Sequence, residues 1–329
     1  MKFGVRLLDD FGGPRELVAL AVYAEELGFD AIWFPHDAFR LNSWVLTSAT
    51  AQATQRVQLY ARTNLYTTDP AEIATYLATL DQLSGGRATI TIGLHTVDML
   101  PWLGIDGSDI LQRTRETVDI LRRLFRGETV SRDGDIFHWT DNCFLRVPPI
   151  RPDPPIYVCP YAGPFGDAFL ELSGEIGDGS LPMVTPPESA ALMAAPIRRT
   201  CRTAIFDLVG FVWISVSEDG QGTREQMRDV AAYFGAYLDD AALATIGLRQ
   251  RDFYPIRDAI MTGRKQEALA LVSPDMLRLG IAGTPEECIH QLRILADAGY
   301  THVSLGGPLG PDPRAALELI AQRIMPAFR

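Results

Sequence analysis

The sequence predicts an α/β protein of the TIM, or (β/α)8, barrel class with a short insertion after its fourth helix. Three observations point there. Short apolar runs alternate with longer stretches of helical spacing, each pair filling about 30 residues, as parallel strands joined by crossover helices do. Eight such pairs can be counted, the number that closes a barrel; a doubly wound open sheet would need fewer. No low-complexity stretch or linker divides the 329 residues, so one domain is expected over residues 1–329.

The elements follow in order. "KFGVRLL" is the first strand, and "PRELVALAVYAEELGF" the first helix, with Leu17, Leu20, Ala21, Ala24 and Leu27 on one face and Gly28 at its end. "DAIWFP" is the second strand; "SWVLTSATAQAT" is helical, with Ser43 as its expected N-cap. "VQLYART" is the third strand. "PAEIATYLATLDQLSGG" is the third helix, with Pro70 in its first turn and glycines after its last. "RATITIGLH" and "DILQRTRETVDILRRLFRG" make the fourth unit. The insertion "ETVSRDGDIFHWTDNCFLRV" reads as a hairpin turning at Asp133-Gly134. "PPIYVCP", "GDGSLPM", "FDLVGFVWISV" and "THVSLGG" supply strands five to eight, and "PRAALELIAQRIM" the last helix. Residues 219–282 read as mostly helical with unclear breaks.

Composition bounds the partners. Hydrophobic residues are 47% and charged residues 22%, and the net charge is -11. Nucleic acid and anionic membranes want a basic face, so a small-molecule substrate is expected instead. Cys143, Cys159, Cys201 and Cys288 are scattered, with no CxxC pair, which fits neither a zinc ribbon nor a disulfide framework. Cys159 reads as a small buried thiol, and Trp33, Trp102 and Trp213 as core or pocket wall. The opening "MKFGVRLLDD" lacks the apolar core of a signal peptide. No apolar run reaches roughly 18 residues. A cytoplasmic location is expected.

Several segments resemble the bacterial-luciferase-like superfamily: "LATLDQLSGGRATITIG", "PPIYV" with "LELSGEIGDGSL", "AGTPEECIHQLRILADAGYTHVSL" and "GGPLGPDP". Within it they are most similar to the coenzyme F420-dependent reductases of the methylenetetrahydromethanopterin reductase type. The likeness runs from Met1 to about Arg329. It implies hydride transfer through a deazaflavin, or alternatively FMN, at the C-terminal mouth of the barrel. It also implies a homodimer paired through the helices beside strands two to four, with Trp44 and Tyr76 as candidates for that surface. The shared motifs do not choose between F420 and FMN; the chain's length, without the long insertion common in the monooxygenases, favours F420. A relative that has lost its cofactor, or uses it differently, is the remaining alternative.

The strand ends hold the candidate site, because loops there vary while the scaffold stays rigid. Members of the reductase group carry a glutamate about where Arg6 stands; an arginine stays protonated and would instead hold an anion, or form an internal salt bridge. Relatives read Asp-His at the end of strand two. Here the order is His36-Asp37, and neighbouring strand residues point to opposite sides. A histidine suits proton exchange beside a hydride transfer, so His36, tuned by Asp37, is the first catalytic candidate and His95 the reserve. On strand three the resemblance implies a bulge, often with a cis peptide, pressing on the cofactor. Ala61, Arg62, Thr63 and Asn64 stand there, the last two able to bond the ring's polar edge. After strand five, Tyr161, Ala162, Gly163 and Gly166 precede a helix whose free N–H groups could take the cofactor's phosphate. No metal site is expected.

Overall fold

Eight parallel strands close on themselves. In the computed structural model, which describes residues 1–36, 39–93, 99–160, 165–203 and 205–329, the strands are β1 (Lys2–Arg6), β2 (Ala31–Phe34), β3 (Gln58–Asn64), β4 (Ala88–Gly93), β5 (Val130–Asp133), β6 (His138–Cys143), β7 (Ile156–Cys159), β8 (Gly179–Ser180), β9 (Asp207–Val216), β10 (Ile281–Gly283) and β11 (His302–Leu309). The ring runs β1-β2-β3-β4-β7-β8-β9-β11 and back to β1. It is a TIM barrel, with helices between its strands. The hairpin of the insertion is the separate antiparallel pair β5–β6. It turns where Asp133-Gly134 predicted, with the Gly134 N–H donating to Phe137 O at 3.1 Å.

Local chemistry explains the boundaries. The helix Pro70–Ser84 starts with Asp69 accepting from the Ala71 N–H and with proline at its first position. It ends at Gly85, whose φ of 67° a β-carbon would resist. One cap expectation is corrected. The helix Ser43–Ala53 is capped by Asn42, whose side chain accepts from the Val45 N–H. Ser43 is thereby released: its Oγ donates to Phe34 O at 2.8 Å and accepts from the Arg62 N–H at 3.0 Å, pinning the end of β2 to β3.

The segments that carried the resemblance are structural knots. Arg87 donates to Ala51 O, Thr54 O, Val57 O and Ser84 O at 2.9–3.0 Å. Asp81 is buried and takes two bonds from Arg151. Thr284 and Glu287 form a capping box at the start of the helix Pro285–Asp297.

The barrel interior is layered. At the amino-terminal end Asp207 accepts from Tyr157 Oη at 2.8 Å, Thr301 Oγ1 at 2.6 Å, His302 Nδ1 at 3.2 Å and Lys2 Nζ at 3.3 Å. Above it Trp33 stacks on Tyr60 with centroids 3.6 Å apart. Strand alternation then places Arg6, Arg62 and Cys159 at the upper, carboxyl-terminal level.

The stretch 219–282, mostly helical by sequence, falls on an excursion at 217–280 and the first residues of β10. The excursion leaves the carboxyl end of β9, with helices at Thr223–Phe234, Asp240–Ala244, Tyr254–Met261 and Lys265–Leu271, and returns through β10. Met227, Ala231, Leu243, Phe253, Ile256 and Leu279 give this segment a buried cluster continuous with Trp213, Phe211 and Met183 on the barrel wall. Of the two aromatic residues expected at a subunit surface, Tyr76 is exposed; Trp44 is buried and packs against it with the rings tilted by 53°, centroids 5.3 Å apart. Trp33 and Trp213 are buried, as core or wall residues should be, whereas Trp102 is exposed.

Candidate active site

The carboxyl ends of the strands bring part of the predicted set together. β3 runs in unbroken register with β4 from Leu59↔Ala88 to Asn64↔Gly93, so it carries no bulge. The cis peptides among the described residues are Thr185-Pro186 and Gly307-Pro308, neither on this strand. Regular alternation divides the four β3 candidates. Tyr60 packs inside the barrel, so Arg62 and Asn64 share that interior face, and Ala61 sits in the core under the helices. Thr63 is on the same outward face and fully buried. Thus Arg62 and Asn64 face the mouth, and Ala61 and Thr63 do not. Asn64 Oδ1 accepts from the Tyr66 N–H at 2.8 Å, which orders the turn leaving β3.

Arg6 is the buried cation of the mouth. Its Nη1 donates to Ser304 O at 3.0 Å and lies 3.4 Å from Ser304 Oγ; its Nη2 donates to Val212 O at 3.2 Å. The guanidinium carbon lies 3.4 Å from the centroid of Phe211. The salt bridge expected as its alternative role is absent among the described residues: these partners are neutral. Burial, and then the charge of Arg62, pull its pKa down to about 9. It stays protonated at neutral pH.

His36 lies half-buried two residues beyond β2. Gly166 opens the helix Asp167–Ile176 as expected, with φ 55° and no side-chain cap. Asp167 in its first turn pairs with Arg199 at 3.0 Å. Asp37, His95, Tyr161, Ala162 and Gly163 lie outside the described residues.

Sequence reasoning read Trp213 as core or pocket wall but missed the rest of the far wall. Phe211 on β9 and Met183, three residues beyond β8, face the mouth beside Trp213 and join the 217–280 segment. It also missed Gly306, where a built β-carbon would stand 2.6 Å from Arg6 Nε and nearer still to Cζ and Nη2. The pattern "THVSLGG" held the signal, since a glycine inside a strand marks a close approach. A latch missed in the same way joins Tyr66 Oη to Asp109 at 2.6 Å, under Arg113.

A family model described as luciferase-like monooxygenase matches residues 1–302. The chain belongs to this family. This luciferase-like chain is 30% identical over 340 aligned positions to a 5,10-methylenetetrahydromethanopterin reductase of Archaeoglobus fulgidus, covering 100% of both proteins. It is 26% identical to an F420-dependent glucose-6-phosphate dehydrogenase of Amycolatopsis mediterranei, covering 100% of this chain and 99% of that one. Its fold superposes with a TM-score of 0.90 on the coenzyme F420-dependent tetrahydromethanopterin reductase of Methanopyrus kandleri, at 26% identity, over 100% of this chain and 99% of the other.

Proposed function

We propose that this luciferase-like chain is an oxidoreductase that uses coenzyme F420 and moves a hydride between the deazaflavin and a small organic substrate at the mouth of the barrel. The observation that carries the reading is the end-to-end likeness, TM-score 0.90, to a reductase that depends on F420. The residues at the mouth suit the cofactor. F420 bears anionic groups and a polar ring edge, and the interior face offers Arg62, Asn64 and the buried guanidinium of Arg6. The helix that Gly166 opens has an uncapped first turn, and a β-carbon built at Gly166 meets nothing within 4 Å.

When bound, F420 supplies or accepts the hydride. Arg62 and Asn64 hold the ring's polar edge. Gly163 and Gly166, with Tyr161 and Ala162 before the helix, take the phosphate arm. Phe211, Met183 and Trp213 exclude water from the opposite side. His36 carries the proton that must accompany a hydride. Asp37 tunes it and His95 stands in reserve. One domain, paired as a homodimer in the cytoplasm, completes the reading; the four cysteines are free thiols, in keeping with a reducing compartment. Among the described residues no helix is long and apolar enough to cross a membrane.

The test is retention. Purified protein is mixed with F420 or with FMN, desalted, and scanned for bound absorbance. F420 is expected to stay and FMN to wash out; the opposite result overturns the cofactor. His36→Ala is then expected to slow turnover of a substrate found by screening by ~10²–10⁴-fold, with F420 affinity changed only a few-fold. Unchanged turnover would make His36 scaffold.

A further inference from the structure

Asn64 closes β3 at the mouth, and its side-chain amide is only half engaged. The residue is 5% exposed. Among the described residues its side chain makes one hydrogen bond, accepted from the Tyr66 N–H at 2.8 Å. A backbone N–H can only donate, so the amide atom that faces it is the oxygen. The amino group is left over, and no described group accepts from it. A buried donor without an acceptor is unfavourable. The turn itself does not ask for this donor, because an aspartate makes the same turn with its oxygen alone.

Tyr66 is held from its other end. Its Oη donates to Asp109 Oδ1 at 2.6 Å. The guanidinium carbon of Arg113 lies 4.7 Å from the centroid of its ring, and Arg113 Nη2 donates to Asp109 Oδ2 at 2.9 Å. Asp109 stands where an aspartate would cap the helix Ile110–Phe125, yet its side chain makes no capping bond. The carboxylate serves Tyr66 and Arg113 instead. Arg113 also lies 5.5 Å from the ring centroid of Phe137 in the insertion. A residue two positions beyond Asn64 is thus fastened to the helix that follows β4, and its N–H is held against the Asn64 oxygen.

We infer that Tyr66, Asp109 and Arg113 form a positioning latch that fixes Asn64 as a hydrogen-bond donor, so that the ring edge it meets presents an acceptor, a carbonyl oxygen or an unprotonated ring nitrogen. The inference rests on the reading of Asn64 as a contact to the cofactor's ring. Asn64 touches the ring; the other three act through it. A ring carrying a hydrogen at the matching atom sets donor against donor and is rejected.

The experiment titrates the wild type, Asn64→Asp, Tyr66→Phe and the double variant with F420 at neutral pH and follows the absorbance of the bound ring, with FMN titrated alongside. Asn64→Asp keeps the oxygen that receives the Tyr66 N–H and puts an acceptor where the donor was. It is expected to weaken F420 binding about 10- to 100-fold, as for a lost hydrogen bond whose partner stays buried, and to diminish the shift in absorbance that F420 shows on binding. Tyr66→Phe removes one hydroxyl. It is expected to weaken binding about 3- to 10-fold, with a spectral change of the same sign, and to add nothing once residue 64 is aspartate. Circular dichroism verifies that the variants fold. If the wild type retains F420 but the single variants keep its affinity and spectrum, Asn64 and Tyr66 only shape the turn; that overturns this inference and leaves the cofactor reading standing. Losses that add in the double variant overturn the latch as well. If the wild type retains FMN instead, the cofactor reading falls, and the same four proteins titrated with FMN decide the inference. If it retains neither, both fall.

Discussion

Replacing Gly306 with alanine tests how tightly the mouth is built around Arg6. Ordinary contact begins at 3.4 Å, and the new β-carbon would start 2.6 Å from Nε and closer to the rest of the guanidinium. The group must retreat by about 1 Å or more. Bonds now at 3.0 Å to Ser304 O and 3.2 Å to Val212 O would then pass the limit of a useful hydrogen bond. Each such bond from a charged donor is worth about 1.5–3 kcal/mol when lost with its acceptor left buried, and the contact with Phe211 adds about 1 kcal/mol. Against this, Gly306 is not among the positive-φ glycines, so alanine gains about 0.4–1 kcal/mol from a stiffer unfolded chain. The net expectation is a loss of about 3–6 kcal/mol. Urea unfolding of the wild type, Gly306→Ala, Arg6→Met and the double variant measures it as a coupling. With Arg6 trimmed to methionine, Gly306→Ala should be neutral or mildly stabilising. A coupling energy below about 0.5 kcal/mol would refute the reasoning.

Two further predictions concern the frame. Glu116, with a fully buried side chain, accepts from the Asp135 and Phe137 N–H groups, Gln112 and Arg132 at 2.9–3.2 Å, and so ties the hairpin to the helix Ile110–Phe125. Burial works to raise its pKa, but these donors outweigh it and hold it near about 2. A depressed carboxylate stabilises above its unfolded pKa, so Glu116→Gln should cost about 1–3 kcal/mol at pH 7. The difference from wild type should shrink as the pH falls from 4.5 toward about 2; a pH-independent difference in urea unfolding would reject the assignment. The homodimer is expected to use the surface carrying Val45, Tyr76, Leu83 and Ile150, all exposed, and Tyr76→Asp should move the sedimentation coefficient at micromolar concentration to that of a monomer. A wild type that sediments as a monomer removes the dimer.

The barrel was legible because its strands and helices differ in period, and because caps such as Asp69-Pro70 and turns such as Asp133-Gly134 act locally. The 217–280 segment was less so. Three of its four helices are only 5, 8 and 7 residues long, too short to show a repeating apolar face, and β10 is only three residues. Nothing local says that such pieces pack on Phe211 and Trp213. The β3 candidates show a second limit. Strands of a parallel barrel are buried on both faces, so Ala61, Arg62, Thr63 and Asn64 are all buried or half-buried and their order does not mark which parity points inward. Only pairing and packing put Arg62 inside and Thr63 outside. The Ser43 cap failed for a smaller reason, since Asn42 beside it competes for the same N–H groups.

The way the 217–280 segment is attached has an evolutionary consequence. The chain leaves at Val216 and returns at Ile281, and β10 lies directly beside the end of β9, with Ile281 opposite Ile214 and Gly283 opposite Val216. The two attachment points are therefore one strand spacing across and about two residues along, roughly 8 Å apart. A short linker spans that distance, and closing it asks little of the chain. The segment behaves as a cassette plugged into a single edge: it can be lengthened, shortened or swapped while the ring of strands, and the polar cluster at its amino-terminal end, stay as they are. Because the cassette carries one side of the mouth, lineages that trade it would change which molecules enter without reinventing the barrel beneath.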